Sequence, residues 1–305
     1  LQEKQGSAVG ELAEFRLDEG RYRAVSTVSA GEAHLFDDSG RNANIRIRDI
    51  RSYSSEFATR DIYYVQLEVE NAEKRFNHVA KWAGYFKTDD DLYFPANISD
   101  FTQKLSPGGK VLLAFWSQLP KGYTWDRLQL LVGEAVTGSA LTPVKEKDDD
   151  DDPPKPDGFV KAVLLDMPGE AEPKPSYKQL EIGAYTLSLS NIEAAPSKVN
   201  EMQLSFDYEL RKNTEYETAL DGHRLILEFE SDEVTFTEEL DLEKGAAGKV
   251  LQLGTGTYQI KKSVTDLNLI YVNGAEPFKL RLYDGFQGQR RLLAEQTLNW
   301  LSVNE

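Results

Sequence analysis

Cysteine is absent from this chain, which removes disulfides, thiolate metal ligands and cysteine nucleophiles together. Histidine is scarce: His34, His78 and His223 stand far apart and none has a second histidine at ligand spacing, so neither a metal nor a cofactor is expected. No run approaches the roughly 18 consecutive apolar residues that a spanning helix needs. No basic cluster is longer than two or three residues, and 35 basic against 51 acidic residues give a net charge of −16. A surface of that sign repels phosphate backbones, so nucleic acid is not an expected partner. The Gly-x-Ser-x-Gly elbow of serine hydrolases is missing. Gly254-Thr255-Gly256 superficially resembles a nucleotide loop, but it lacks the third glycine and the downstream ribose acid. It reads as a bend or bulge between strands.

What is present is enough for two cores. With 305 residues, 40% of them apolar and 28% charged, the chain suits two soluble domains of about 140 residues each. Internal similarity points the same way. Gly109-Lys110-Val111-Leu112 and Leu128-Gln129-Leu130-Leu131-Val132 recur as Gly248-Lys249-Val250-Leu251 and Leu267-Asn268-Leu269-Ile270-Tyr271; 248 − 109 and 267 − 128 both give 139. Ile45-Arg46-Ile47-Arg48-Asp49-Ile50 is similar to Leu187-Ser188-Leu189-Ser190-Asn191-Ile192, at an offset of 187 − 45 = 142. Between the halves, Lys145 to Gly158 holds five consecutive aspartates and three prolines. Charge repulsion and missing backbone donors favour an exposed, extended linker there, and the contiguous block lacks the alternating ligands of a calcium loop. The expected organisation is therefore a first domain over 1–144, a linker over 145–158 and a second domain over 159–305.

Most ordered stretches alternate with a period of two, as half-buried strands do. Tyr63, Val65, Leu67 and Val69 alternate with Tyr64, Gln66, Glu68 and Glu70; Leu204, Phe206, Tyr208 and Leu210 alternate with Ser205, Asp207 and Glu209. Turn residues fall between such runs at Asp38-Ser39-Gly40, Ser106-Pro107-Gly108-Gly109, Asn273-Gly274 and Asp284-Gly285. Helical periodicity is scarce: Gly10 to Leu17 fits one short helix, and Arg290 to Trp300 has a mixed period with no assignment. The pattern predicts an all-β fold of two immunoglobulin-like antiparallel β-sandwiches in tandem.

One region carries a further pattern. Tyr64 to Asn71 is an alternating strand ending in a Val-x-Asn turn, followed by Leu105-Ser106-Pro107-Gly108-Gly109-Lys110-Val111, Phe115, Leu119-Pro120-Lys121 and Leu128-Gln129-Leu130. Over about Ile45 to Val132 the chain resembles the immunoglobulin-like repeat of exported lipoproteins and surface proteins of Gram-positive bacteria. Physics gives the pattern a reason: Pro107 presets a turn and Gly108 supplies a backbone shape other residues resist, placing Leu128 and Leu130 on one inward face. The second half departs from the pattern, with Gly245-Ala246-Ala247-Gly248 at the turn. The resemblance implies an extracytoplasmic, non-catalytic interaction domain and transfers no catalytic residue. A start at Leu1-Gln2-Glu3-Lys4 without Met is expected to follow a removed export signal or a lipid anchor.

Candidate chemistry is thin. Glu238-Glu239 and Asp89-Asp90-Asp91 are paired carboxylates, but in an acidic chain such pairs belong on solvated faces. Aromatic residues are the sharper signal. Trp82, Tyr93, Trp116 and Trp125 lie among further rings at Tyr85, Phe86, Phe94 and Tyr123, and rings fill cores or stack on sugar faces. These four are the expected ligand-binding residues. The expected function is a non-catalytic cell-surface binding or structural protein whose partner is a protein or a cell-wall polysaccharide. The rivals are a carbohydrate-binding module or hydrolase with a dispersed carboxylate site, and a subunit that pairs an exposed edge strand in a larger assembly.

Overall fold

The structure, a computed structural model, describes residues 25–36, 42–79, 82–135, 159–198, 201–218, 222–231, 234–245, 248–263 and 277–301. The expected linker 145–158, the expected helix at Gly10 to Leu17, the turns at Asp38 to Gly40 and Asn273-Gly274, and the repeated segment Leu267 to Tyr271 lie outside these residues. The protein is all-β. Among the described residues the only helical turn is a 3-10 turn at Trp125–Arg127, and no helix is long and apolar enough to cross a membrane.

The chain forms two compact units. One runs to Ala171 and takes in Glu215–Leu220; the other comprises Glu172–Thr214 and Asp221–Glu305. In the first, β1 (Ser26–Val28), β2 (His34–Phe36), β3 (Ala43–Tyr53), β4 (Arg60–Asn71), β5 (Asn77–His78) and β6 (Trp82–Thr88) come first. They are followed by β7 (Tyr93–Pro95), β8 (Asn97–Ile98), β9 (Lys104–Leu105), β10 (Lys110–Pro120), β11 (Leu128–Ala135) and β12 (Phe159–Asp166). Then come β13 (Leu180–Ile182), β14 (Tyr185–Lys198), β15 (Glu201–Lys212) and β16 (Tyr216–Thr218), the last in the stretch that belongs to the first unit. The second unit continues with β17 (Arg224–Glu230), β18 (Thr235–Leu242), β19 (Val250–Leu251), β20 (Gly254–Ser263), β21 (Phe278–Phe286) and β22 (Gln289–Leu298).

The first unit stacks a sheet of order β1-β12-β11-β6-β7 on one of order β16-β10-β4-β3-β2. Alternation decides what lies between them. Val65, Leu67 and Val69 of β4, Val111, Leu113 and Phe115 of β10, and Leu128, Leu130 and Val132 of β11 share one buried cluster. The second unit stacks β13-β14-β15-β20 on β19-β18-β17-β21-β22. There Leu204 and Phe206 of β15 meet Leu225, Leu227 and Phe229 of β17 and Phe278, Leu280 and Leu282 of β21. Each such side chain, fully withdrawn from water, contributes about 1.5–3 kcal/mol.

The unit boundaries run differently from the expected start of the second half at 159. β12 is antiparallel to β11 from Gln129↔Asp166 to Ala135↔Phe159, and parallel to β1, so it completes the first unit's sheet. The strand orders of the two units correspond. β2-β3-β4-β10 matches β13-β14-β15-β20, and β7-β6-β11-β12 matches β18-β17-β21-β22. Even the irregularities agree: register shifts fall between Ile47 and Asp49 on β3 and between Ser190 and Glu193 on β14.

Turns follow local chemistry. Gly109 N–H donates to Ser106 O at 2.8 Å with Gly108 at φ +70°, the left-handed third position that a Pro-Gly turn requires. Asp284-Gly285, expected as a turn, lies inside β21. The hairpin instead closes three residues later at Gln287-Gly288, both at positive φ (+49° and +76°), between the registered pair Phe286↔Gln289. Positive φ at both loop positions is the type I′ geometry that suits strand twist. The stretch from Arg290 to Trp300, unassigned from its period, is mostly β22.

Candidate interaction surface

A wide concavity lies on the outer face of the second unit's β14-β15-β20 sheet, an open groove of ≈ 840 Å³. Its walls follow from register. Ser190, Asp207 and Thr257 form one cross-strand row, and Ser188, Glu209 and Thr255 the next. Their floor is the intervening row Leu189, Tyr208 and Gly256. A Cβ at position 256 would come within 2.7 Å of the Tyr208 hydroxyl, so glycine lets that ring lie over β20. Tyr208 Oη accepts from Gln252 N–H at 3.2 Å.

Two carboxylates dominate the groove. Asp207 accepts from Thr257 Oγ1 at 2.6 Å and from Asn191 Nδ2 at 2.8 Å, and these bonds hold its carboxyl below the usual range. Asn191 reaches it from a left-handed backbone (φ +48°) inside the bulge of β14, a conformation asparagine tolerates better than most residues. Glu209 pairs with Arg211 at 2.6 Å, and Lys178 stands on the rim. The groove thus presents hydroxyls and negative charge on a rigid sheet. It suits a polar or cationic partner. Glycoside hydrolysis needs one carboxyl whose pKa is raised, and in this groove the Asp207 carboxyl is lowered.

The register counterpart of Glu209 in the first unit is Glu68. Glu68 faces Arg46 of β3 and Leu112 of β10, as Glu209 faces Ser188 of β14 and Thr255 of β20. Here the carboxylate is buried. β16 runs parallel to the start of β10, Lys110↔Tyr216 to Leu112↔Thr218. Tyr216 Oη donates to Glu68 Oε2 at 2.7 Å, Arg46 Nη2 does so at 3.0 Å, and Lys110 Nζ lies 3.6 Å away. Burial alone would push the Glu68 carboxyl up. The bonds from Arg46 and Tyr216 and the charges of Arg46 and Lys110 outweigh it and hold the group below its ordinary range.

The four expected aromatic residues do not converge. Trp82 opens β6, half-buried, edge-on to Phe36 at 4.8 Å, and among the described residues its buried Nε1–H finds no acceptor. Tyr93 packs against Tyr85 and Leu131 on the outer side of its sheet. Trp116 lies on the other sheet, half-buried, registered opposite Tyr64 and Asn97. Trp125 is only 9% exposed. It meets Tyr63 edge-to-face at 5.1 Å, and its Nε1–H is shared between Ser52 Oγ at 2.9 Å and Glu170 Oε2 at 2.8 Å. Trp82 is registered with Glu134, and Leu128, next to the Trp125 turn, with Thr88 at the far end of β6. At ~3.3 Å per residue that is about 20 Å.

Sequence reasoning missed one buried pair. His223 Nδ1 lies 2.8 Å from Asp284 Oδ1, both almost fully buried, and the imidazole stacks on Phe286 at 4.8 Å. Gly183, at φ +55°, makes room: a Cβ there would sit 2.9 Å from the ring. The two residues are 61 apart in sequence, so no local signal joined them. Among the described residues no cluster of three His, Asp or Glu could hold a metal ion.

No protein-family model and no curated protein matches the chain. Solved structures similar to it include a β-sandwich protein of Clostridium difficile, at 10% identity and TM-score 0.29, covering 48% of this chain and 97% of that one. Red sea bream transglutaminase is similar at 8% identity and TM-score 0.23, covering 84% of this chain and 31% of its own. A β-glucuronidase of Parabacteroides merdae is similar at 8% identity and TM-score 0.25, covering 78% and 27%. The chain thus spans less than a third of either enzyme. At TM-scores this low the fold rests on the strand order described above.

Proposed function

We propose that this chain is a non-catalytic interaction protein of a bacterial cell surface, built from one sandwich type used twice. Matching strand orders and matching bulges support the duplication. The strand order supports an immunoglobulin-like reading. An immunoglobulin domain places strands A, B, E and D in one sheet and C, F and G in the other; β3, β4 and β10 hold the places of A, B and E, and β6, β11 and β12 those of C, F and G, with β7 paired to β6 where a D strand would pair with E. The export and surface location follow from the resemblance over Ile45 to Val132.

The observation that carries the binding role is the groove over Asp207 and Glu209. It is open, hydroxyl-lined and fixed by cross-strand register; Asp207 accepts hydrogen bonds that hold its carboxyl below the usual range, and Glu209 is paired with Arg211. Such a site suits binding by charge and hydrogen bonds. Retention of the purified chain on Gram-positive cell walls tests this, alongside incubation with a panel of aryl glycosides. Expected are retention that Asp207→Lys weakens and no turnover. Trp116→Ala in the same assay asks whether the first unit's outward ring contributes. Absence of retention, or turnover abolished by Glu209→Gln, would overturn the proposal.

A further inference from the structure

We propose that the outer edge of β20, beside this groove and unpaired among the described residues, docks a second copy of the chain through the loop Glu73–Phe76. The inference rests on the groove being an interaction surface, and it names the partner. In the first unit the outer edge of β10 is covered: β16 adds to Lys110–Leu112 and β8 to Phe115 and Trp116. β20 is the counterpart of β10, and among the described residues it pairs with β15 alone. A ten-residue strand with one bare edge is a template for another extended segment.

Register fixes where that segment would lie. Leu112 faces Glu68 and Thr255 faces Glu209, so the residues corresponding to Lys110–Leu112 are Leu253–Thr255. Leu253 is 45% exposed, an apolar side chain two residues before Thr255, which faces Glu209. The strand order also indicates the donor. β16 sits in the connection from β15 to β17, and the matching connection of the first unit runs from β4 to β6. That connection reads Glu73-Lys74-Arg75-Phe76, two bases in an acidic chain followed by a ring 67% exposed. The loop is preshaped: Asn71 Nδ2 donates to Arg75 O at 2.8 Å, and Glu73 Oε1 accepts from Asn42 N–H at 3.1 Å. Lys74 and Arg75 complement Asp207 and Glu209, while Phe76 covers Leu253. Donor and acceptor are different patches, so the contact is heterologous and joins copies head to tail.

Sedimentation velocity on the full chain across about a hundredfold concentration range, at low and high salt, tests the proposal. Average mass should rise with concentration at low salt and fall back with added salt. A donor variant, Lys74→Glu with Phe76→Ser, and an acceptor variant, Glu209→Lys, should each weaken association by at least about tenfold. Mixed, they should form one-to-one dimers, because each keeps one intact patch; that complementation also shows both variants to be folded. A parent chain monomeric throughout, association indifferent to both variants, or a mixture that stays monomeric would each overturn it. A monomer still retained on cell walls sinks the self-association and leaves the binding role standing; association without retention does the reverse.

Discussion

Replacing Tyr216 by Phe removes one oxygen and leaves the ring, and the structure says what that oxygen does. Its hydroxyl donates at 2.7 Å to Glu68, a carboxylate only 4% exposed. A buried hydrogen bond to a charged acceptor is worth about 1.5–3 kcal/mol. Arg46 and Lys110 remain beside the carboxylate, so it stays ionised and the loss should be about 2 kcal/mol at pH 7. For a unit of this size that lowers Tm by about 4–8 °C. The pH dependence has a definite sign. Because Glu68 is lowered in the folded state, its contribution is present above the unfolded carboxyl value of about 4.3 and is lost as pH falls through the lower folded value. Tyr216→Phe removes one of the bonds that lower it, so parent and variant should converge in stability as pH falls through that window. Tryptophan fluorescence suits the assay, since Trp82, Trp116 and Trp125 all belong to the first unit. Urea midpoints that match at pH 7, or a gap that stays constant into acid, would refute the reasoning.

Trp125→Phe should keep the contact with Tyr63 and lose the Nε1–H donor, while Glu170 retains Ser52 N–H at 2.6 Å and Ser52 Oγ at 2.8 Å. The expected cost is about 1–2 kcal/mol in urea denaturation, and an unchanged midpoint would show the clasp to be dispensable. Gly84→Ala would set a Cβ 2.7 Å from the fully buried Phe115 ring, an overpacking worth about 1–3 kcal/mol. Phe115→Leu should relieve part of it, read as non-additivity in the double variant; strictly additive losses would point to another cause.

Where local chemistry decided the outcome, the sequence was legible. Alternation placed Val65, Leu67 and Val69 in the core, and Pro107-Gly108 marked its turn. Gln287-Gly288 was not legible because the turn preference lies with Asn-Gly and Asp-Gly, and Asp284-Gly285 offered that signal three residues early. The polar face of β4 reads as solvent-exposed, yet Gln66 and Glu68 are buried. For Glu68 the reason is Tyr216, 148 residues away, beyond the reach of any periodicity. The candidate groove was half legible. Alternation set Asp207 and Glu209 outward, but the rows joining them to Ser188, Ser190, Thr255 and Thr257 exist only once three strands are in register. The aromatic residues were legible as rings but not as to place: rings are drawn to cores and to polar clasps alike, so spacing alone could not separate the buried Trp125 from the half-buried Trp116.

The internal sequence matches show how a common strand order and a divergent surface leave different traces. At an offset of 142, Ile45 to Ile50 on β3 falls on Leu187 to Ile192 on β14, and Trp82, opening β6, falls on Arg224, opening β17; both are counterpart strands. The offset of 139 places Gly109 to Leu112 on Gly248 to Leu251, three residues short of β20. That match therefore records similar composition at a strand entry and misses the register. Register is what matters to a surface. It puts Glu68 and Glu209 at one position, one sealed under an added strand and the other beside an edge that no strand covers among the described residues. Two sandwiches of one strand order share a core pattern because every inward position is tied to partners on two sheets. Their edges are free to differ.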